Sequence, residues 1–317
     1  MKNARTFWRA VDIGVMITAI GLGVAACDIG GSAGSSTGSG GGDPNTGAYG
    51  IHFQRYGNGY QVLGRDWQGG AININIPAIH NGLPVISIGD EAFRDGNLVS
   101  VTIPNSVTHI GGLAFANNNL ASVSIPKSVT HIGEWAFAGS WQGTNRLSTV
   151  AIPDSVTSIG ARAFYWNNLV TVTIPDSVVH IGERAFYRNN LTSITIGSSV
   201  THIGDSAFGS NNLASVSIPN SVTHIGGAAF ATNNLATVTI GNSVTHIGDS
   251  AFADNNLTSV TIGNSVTHIG GSAFGRNNLA TVTIPFATLA AADAAWSGAG
   301  WRNGIPGAAS GVWVFSP

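Results

Sequence analysis

Between residues 98 and 284 the chain repeats one arrangement of apolar and polar positions, Leu-x-x-Val-x-Ile-Pro/Gly-x-Ser-Val-Thr-His-Ile-Gly-x-x-Ala-Phe-x-x-Asn-Asn. Its closing isoleucines, Ile103, Ile125, Ile152, Ile174, Ile196, Ile218, Ile240, Ile262 and Ile284, lie 22 residues apart, with one gap of 27. A degenerate first copy begins at Ile76, so the chain holds nine repeats, the ninth closing at 279–284. The long gap is an insertion around 139–146, and the first repeat carries five extra residues within 78–85.

Each column has a physical reading. The alternation in Leu191-Thr-Ser-Ile-Thr-Ile196 predicts a short strand with one buried face. The Pro or Gly that follows ends it, and Pro there needs no ladder donor. Val200-Thr-His-Ile203 then turns Val and Ile inward and His202 outward. Gly204 and its equivalents are glycine in every repeat, which calls for either a special dihedral or a close backbone approach. Ala-Phe also recurs throughout, from Ala92-Phe93 to Ala273-Phe274, and predicts a spine of stacked Phe rings. The first residue of the Asn pair is Asn in eight repeats and Gly96 in the other. Both types tolerate the left-handed region, so that position is expected to be left-handed.

One such unit cannot bury its apolar side, but stacked units can. The expected fold is therefore a β-rich solenoid of short parallel strands, roughly 40–45 Å long at about 4.8 Å per turn. Residues 76–285 form the solenoid and 49–75 its N-terminal β cap. Residues 286–317 read as a C-terminal α/β cap, with an Ala-rich helix at 287–296, then Trp301 and the apolar run Val312-Trp313-Val314-Phe315.

The pattern Leu-x-x-Val-x-Ile-Pro-x-Ser-Val-Thr-x-Ile-Gly-x-x-Ala-Phe resembles the treponemal-type, BspA-like leucine-rich repeat. The lead-in Ile72-Asn-Ile-Asn-Ile76-Pro and Gly82-Leu-Pro-Val-Ile-Ser-Ile-Gly89 resembles that family's opening repeat. Two features depart from it. The corner between Phe and the next Leu is one residue shorter and built on Asn, and His stands where the family often has Ser. The resemblance implies a leucine-rich-repeat solenoid on a bacterial surface or secreted protein that binds other macromolecules, and it names no ligand.

The N-terminus carries a different signal. Lys2, Arg5 and Arg9 precede a mostly apolar stretch at 13–26, too short to span a bilayer comfortably. Val24-Ala25-Ala26-Cys27 resembles a bacterial lipobox, which implies that 1–26 is a lipoprotein signal peptide and Cys27 the lipid-attachment residue. An uncleaved anchor helix with an incidental cysteine is the other reading. Residues 27–48 continue as a Gly/Ser-rich tether with a reach of roughly 25 Å. Lipid, tether and folded module together are the layout of a protein displayed on the bacterial envelope, on the outer membrane or cell surface. Asp28 leaves the membrane open.

Composition narrows the function. Charged residues make up 9% of the chain, against about 25% in ordinary soluble domains. The net charge of −2 gives no basic footprint for nucleic acid. A single cysteine excludes an internal disulfide. No phosphate loop, nucleophile–base pair or isolated carboxylate pair appears, so no catalytic residue, metal or cofactor is assigned.

Three surfaces could carry chemistry. The histidine column holds His109, His131, His180, His202, His224, His246 and His268, with Ser87 and Ser158 in the remaining two repeats that fill it. A straight row does not converge on a metal as ligands must. It fits either an exposed position copied by duplication or a pH-sensitive face. The strand-face columns are Ser and Thr, from Ser100/Thr102 to Thr281/Thr283, and form a nearly charge-free polar surface. A flat Thr-x-Thr ice-binding array is the sharper reading, and the Ser and Ala members interrupt it. Repeats three to five are the least regular. Trp135, Arg162 and Arg184 share one column, Tyr165 and Tyr187 the next, Trp166 and Arg188 the one after, and the insertion adds Trp141 and Arg146. Aromatic and Arg residues are enriched at interface hot spots, so these nine residues form the candidate ligand patch, against the alternative that they merely pack one another.

The expected function is a non-enzymatic, lipid-anchored surface protein that binds host or neighbouring-cell proteins or glycans. The alternative is a structural envelope spacer in which repeat number matters.

Overall fold

The computed structural model describes residues 50–66, 71–140, 142, 144–286, 291–292 and 313–315. It is a β-solenoid in which each repeat contributes two short strands, one to each of two faces. The longer sheet takes its rungs from the His-Ile positions: His109–Ile110, His131–Ile132, Ser158–Ile159, His180–Ile181, His202–Ile203, His224–Ile225, His246–Ile247 and His268–Ile269. They pair in parallel with Ile on Ile in every rung. The other face is built from the Val-centred strands, paired in parallel in small groups such as Thr171–Thr173 with Ser193–Thr195.

The start is capped by strand pairing. Ile51–Tyr56 and Gly59–Arg65 form an antiparallel hairpin, and Gly59–Arg65 continues the long sheet onto Leu83–Ile88. Ile72–Asn75 opens the second face by pairing with Leu98–Thr102. The extra residues of the first repeat become a second hairpin, Ile79–His80 against Leu83–Ile88. Asn81 (φ 46°) and Gly82 (φ 77°) make its two-residue turn, the signature of a type I′ hairpin. At the far end Trp313–Phe315 adds a parallel strand to Thr281–Ile284, and Ala291 and Ala292 are helical. The rest of the expected helix, Trp301, and the signal peptide, Cys27 and tether lie outside the described residues.

The interior is one apolar column. Val200, Ile203, Ala207 and Phe208 are all buried, as are their equivalents. Nine Phe rings from Phe93 to Phe274 stack with neighbouring centroids 5.2–5.5 Å apart and planes within 12°. The invariant glycine is explained by close approach. A Cβ on Gly204 would sit 2.6 Å from Glu183 N and 2.7 Å from Gly182 C in the preceding turn.

The corner after that glycine differs from expectation. In the regular repeats two residues per turn are left-handed, the one before Ala-Phe and the one before the Asn pair, as in Ser206 (φ 53°) and Ser210 (φ 55°); in the repeat with the insertion Trp135 keeps the first. The first Asn is not left-handed. It is buried, and its amide joins turns: Asn211 Oδ1 accepts the Leu191 N–H at 3.1 Å, and Nδ2 donates to the carbonyls of Phe186 and Phe208 at 3.0 Å each. In the first repeat Gly96 has no amide to offer, and Asp95 (φ 54°) and Asn97 (φ 52°) beside it are the left-handed residues. The cause is an energetic ranking. A left-handed non-glycine costs about 1–2 kcal/mol, whereas each buried backbone group left unpaired costs about 1–3. Alternate corner N–H groups reach the next turn, as Leu113 to Glu134, Phe115 to Ala136 and Asn117 to Ala138 carbonyls at 2.8, 2.8 and 2.9 Å, and that pattern sets the dihedrals. Asn145 keeps the same role across the insertion, accepting from Leu120 N–H at 3.1 Å and donating to Phe115 C=O at 2.8 Å. The corner bonds are therefore made at Asn145, and the stack continues across the insertion.

Replacing Asn211 by Ala strands three buried backbone partners and should lower unfolding stability in urea by about 2–5 kcal/mol. The exposed neighbour Asn212→Ala should stay within about 0.5 kcal/mol of the parent. Equal effects at both positions would contradict the role given to the amide.

Candidate functional site

The irregular repeats place their large side chains on the corner just described. Trp135 (φ 57°), Arg162 (φ 56°) and Arg184 (φ 51°) occupy the first left-handed position, and Trp166 (φ 52°) and Arg188 (φ 55°) the second. Tyr165 and Tyr187 follow Phe between them. The side chains form one connected, half-buried layer. The Arg162 guanidinium carbon lies 5.1 Å from the Trp135 ring centre, and that of Arg188 lies 4.3 Å from the Trp166 ring and 5.6 Å from Tyr187. Tyr165 touches Trp135, Trp166 and Tyr187 at centroid distances of 5.3, 5.9 and 5.8 Å.

Two carboxylates that sequence reasoning did not single out complete this layer. Glu183 Oε1 accepts from Arg162 at 2.7 Å and lies 3.3 Å from Arg184, while Glu134 accepts from the Trp135 indole at 3.2 Å. Both glutamates share the column after the invariant glycine, immediately before a Trp or Arg, and that adjacency was the available signal. The insertion emerges beside the layer, because Gly139 N–H donates to Tyr165 C=O at 2.8 Å. Arg146 is exposed and donates its backbone N–H to Leu120 C=O at 2.9 Å. Trp141 lies outside the described residues. Eight of the nine candidate residues are thus located, and seven of them are in mutual contact or in adjacent turns of one layer.

The histidines form a row along the long sheet. The unbroken part runs from His180 to His268 with ring centroids 5.0, 4.7, 4.5 and 5.7 Å apart; Ser158 separates it from His109 and His131. His202, His224 and His246 stack within 11° of parallel. The preceding threonine sets this orientation. Thr223 Oγ1 lies 2.8 Å from His224 Nδ1 and 3.2 Å from the Thr201 carbonyl, with the same pair of contacts at Thr201 and Thr245. A hydroxyl has one proton. The arrangement that keeps both bonds has Nδ1–H donating to Oγ1 and Oγ1–H donating to the carbonyl, which leaves Nε2 outward. Where Val179 replaces the threonine, the His180 ring tilts 54° from His202. The parallel rings present Nε2 side by side rather than toward one point. Among the described residues no group of three or more His, Cys, Asp and Glu is placed to hold a metal. Burial first, then the neighbouring imidazole of His202, holds His224 below the ordinary histidine value. Burial, then His224 and His268, does the same for His246.

The acidic residues in the solenoid are less variable in role than their positions imply. Asp90, Asp205 and Asp249 accept the backbone N–H of Gly112, Gly227 and Gly271 in the next turn at 2.7, 2.7 and 2.6 Å.

A family model and a solved structure agree with this fold. A family model described as BspA type leucine rich repeat region matches residues 72–145, 140–258 and 180–298. A leucine-rich repeat protein from Bacteroides ovatus is 26% identical with a TM-score of 0.64, covering 74% of this chain. The match spans 64% of that protein's length, so the chain accounts for less than two thirds of it. A leucine rich cell surface protein from Faecalibacterium prausnitzii is 26% identical over 74% of this chain and 87% of its own, with a TM-score of 0.35. A Treponema pallidum leucine rich repeat protein is 22% identical over 76% and 85%, with a TM-score of 0.33. No curated protein matches the chain.

The histidine row carries a pH signature of definite sign. A histidine held below its unfolded value resists protonation only when folded, so the unfolded chain binds more protons in acid. Stability should be level above about pH 6.5 and fall as the pH drops through that value, flattening below the folded values of His224 and His246. Urea midpoints should therefore drop on going from about pH 7.5 to about pH 5.5, and drop less in a His224→Ser/His246→Ser variant. An acid drop of the same size in both proteins would exclude the row as its source.

Proposed function

The chain belongs to the BspA-type leucine-rich-repeat family, and from that premise we propose that it is a non-enzymatic binding protein of the bacterial envelope whose ligand contacts the corner of repeats three to five. The observation that carries this reading is the placement of Trp135, Arg162, Trp166, Arg184 and Arg188 at left-handed positions. Repeats six to eight hold Ser, Ala, Thr or Asp at the same places. Retaining large side chains at strained positions on an accessible corner fits selection for contact rather than for folding. The guanidinium groups stack over the Trp rings, so the aromatic faces are not open platforms for a sugar ring. That favours a protein ligand over a neutral glycan.

The envelope location rests on the Lys2–Arg9 charge, the apolar stretch and Val24-Ala25-Ala26-Cys27, with Cys27 as the lipid-bearing residue and the Gly/Ser-rich segment as tether. The later repeats support a second, compatible role. Ser199–Phe208 and Ser243–Phe252 are identical in sequence, as copies that set length would be.

Replacing Trp141, Trp166 and Arg188 by Ala should weaken binding to a panel of extracellular-matrix proteins and glycans at least about tenfold. The melting temperature should move by only about 2–4 °C. Binding retained in that variant would reject the corner as the contact site. Protease added to whole cells should cleave the protein if it is displayed outward, and protection until lysis would place it inside the envelope.

A further inference from the structure

The outward histidine row has a chemistry of its own, separate from the Arg–aromatic corner. Its five consecutive rings, His180 to His268, repeat every 4.5–5.7 Å along the long sheet. Threonine hydroxyls hold Nδ1 of His202, His224 and His246 in the middle of the row, so these three rings offer Nε2 to solvent. No group of the protein bonds Nε2 in this row among the described residues. Protonation leaves the threonine bonds intact, because Nδ1 already donates, and adds a second N–H that points outward. The row then becomes a single file of cationic donors, one per turn.

We infer that the His180–His268 row is an acid-activated binding site for a linear anionic polysaccharide. The surroundings fit one file of charge. On the inner side the sheet packs against buried Val200, Ile203, Val222, Ile225, Val244 and Ile247. The flanking carboxylates have partners: Asp205 and Asp249 accept backbone N–H groups, Asp176 accepts the Ser198 N–H at 2.6 Å, and Glu183 faces Arg162 and Arg184. No lysine or arginine belongs to the row, so its only cations are imidazolium groups, and the positive charge it offers an anion grows as the solution turns acid. The spacing selects the ligand class. A strand of duplex nucleic acid advances about 3.4 Å per phosphate along the helix axis, and an extended peptide brings a side chain back to the same face only about every 6.6 Å. Both are out of step with the rungs, whereas a polyuronate carries one carboxylate per sugar, a unit comparable in length to one rung. The ligand also relieves the repulsion between neighbouring imidazoles, so binding takes up protons.

The test uses the full chain with polygalacturonate as probe, dextran as uncharged control and single-stranded DNA as competitor. Affinity for polygalacturonate should rise at least about tenfold between about pH 7.5 and about pH 5.5, with proton uptake visible as a dependence of the binding enthalpy on buffer. Dextran should not bind. A His202→Ser/His224→Ser/His246→Ser variant places in this column the residue that Ser87 and Ser158 already supply. It should lose the rise while keeping its melting temperature at neutral pH. Trp166→Ala/Arg188→Ala should keep the rise, which separates this site from the corner. A rise that persists in the triple histidine variant, or no rise in the parent, would overturn the site. Single-stranded DNA that displaces polygalacturonate at lower charge concentration would overturn the assignment to a polysaccharide.

Discussion

The structure depends on the amide of the corner asparagine. A solenoid turn buries its corner, and a buried corner has backbone donors and acceptors that water cannot reach. The amide answers one donor and two acceptors in the preceding and present turns, as Asn211 does for Leu191, Phe186 and Phe208. Each turn is therefore complete only beside the next. This makes stability a nearest-neighbour property and gives the two ends a special need for cover. The hairpin at 51–65 and the strand Trp313–Phe315 meet that need by extending the two faces.

The same constraint builds both candidate sites. Once every turn repeats the same bonds, equivalent side chains must stack, whether this helps them or not. Phe rings gain buried contact from stacking. Histidines on the outside are brought within a ring's width of one another, and in the middle of the row the neighbouring threonine holds His202, His224 and His246 there. In repeats three to five the same register stacks Arg on Trp and Tyr on Tyr, so a few substitutions in adjacent turns make one continuous layer. An insertion is tolerated beside that layer because Asn145 restores the corner bonds on its far side.

Much of this was readable from the chain. The period, the buried Val, Ile, Leu and Phe columns and the outward histidine follow from alternation and from the need to bury one side of each unit. Gly204 and its equivalents left two options, and the 2.6 Å approach to Glu183 N decides for crowding. The left-handed residue was misplaced by one position because propensity is a local statement. Asn is a good left-handed residue, but here its amide was worth more to the neighbouring turn than its dihedral freedom. Asp95, Asn117 and Asp254 suit the left-handed place by chemistry, but Trp166, Arg188, Ser210, Thr232 and Arg276 hold it as well, and nothing in their chemistry announces it. The Thr–His bond and the roles of Glu134 and Glu183 were hidden for a related reason: they exist only between side chains that the register brings together.

The central claim is that the turns are interchangeable as scaffold and unequal in function. Excising one whole repeat tests it directly. Removing residues 213–234 takes out a regular turn, and removing 169–190 takes out the turn that carries Arg184, Tyr187 and Arg188. Both proteins should fold, with matching circular dichroism and cooperative unfolding. The first should keep the parent's binding to its protein ligand and the second should lose it. Equal binding by the two, or equal loss, would contradict the account and leave repeat number as the property that matters.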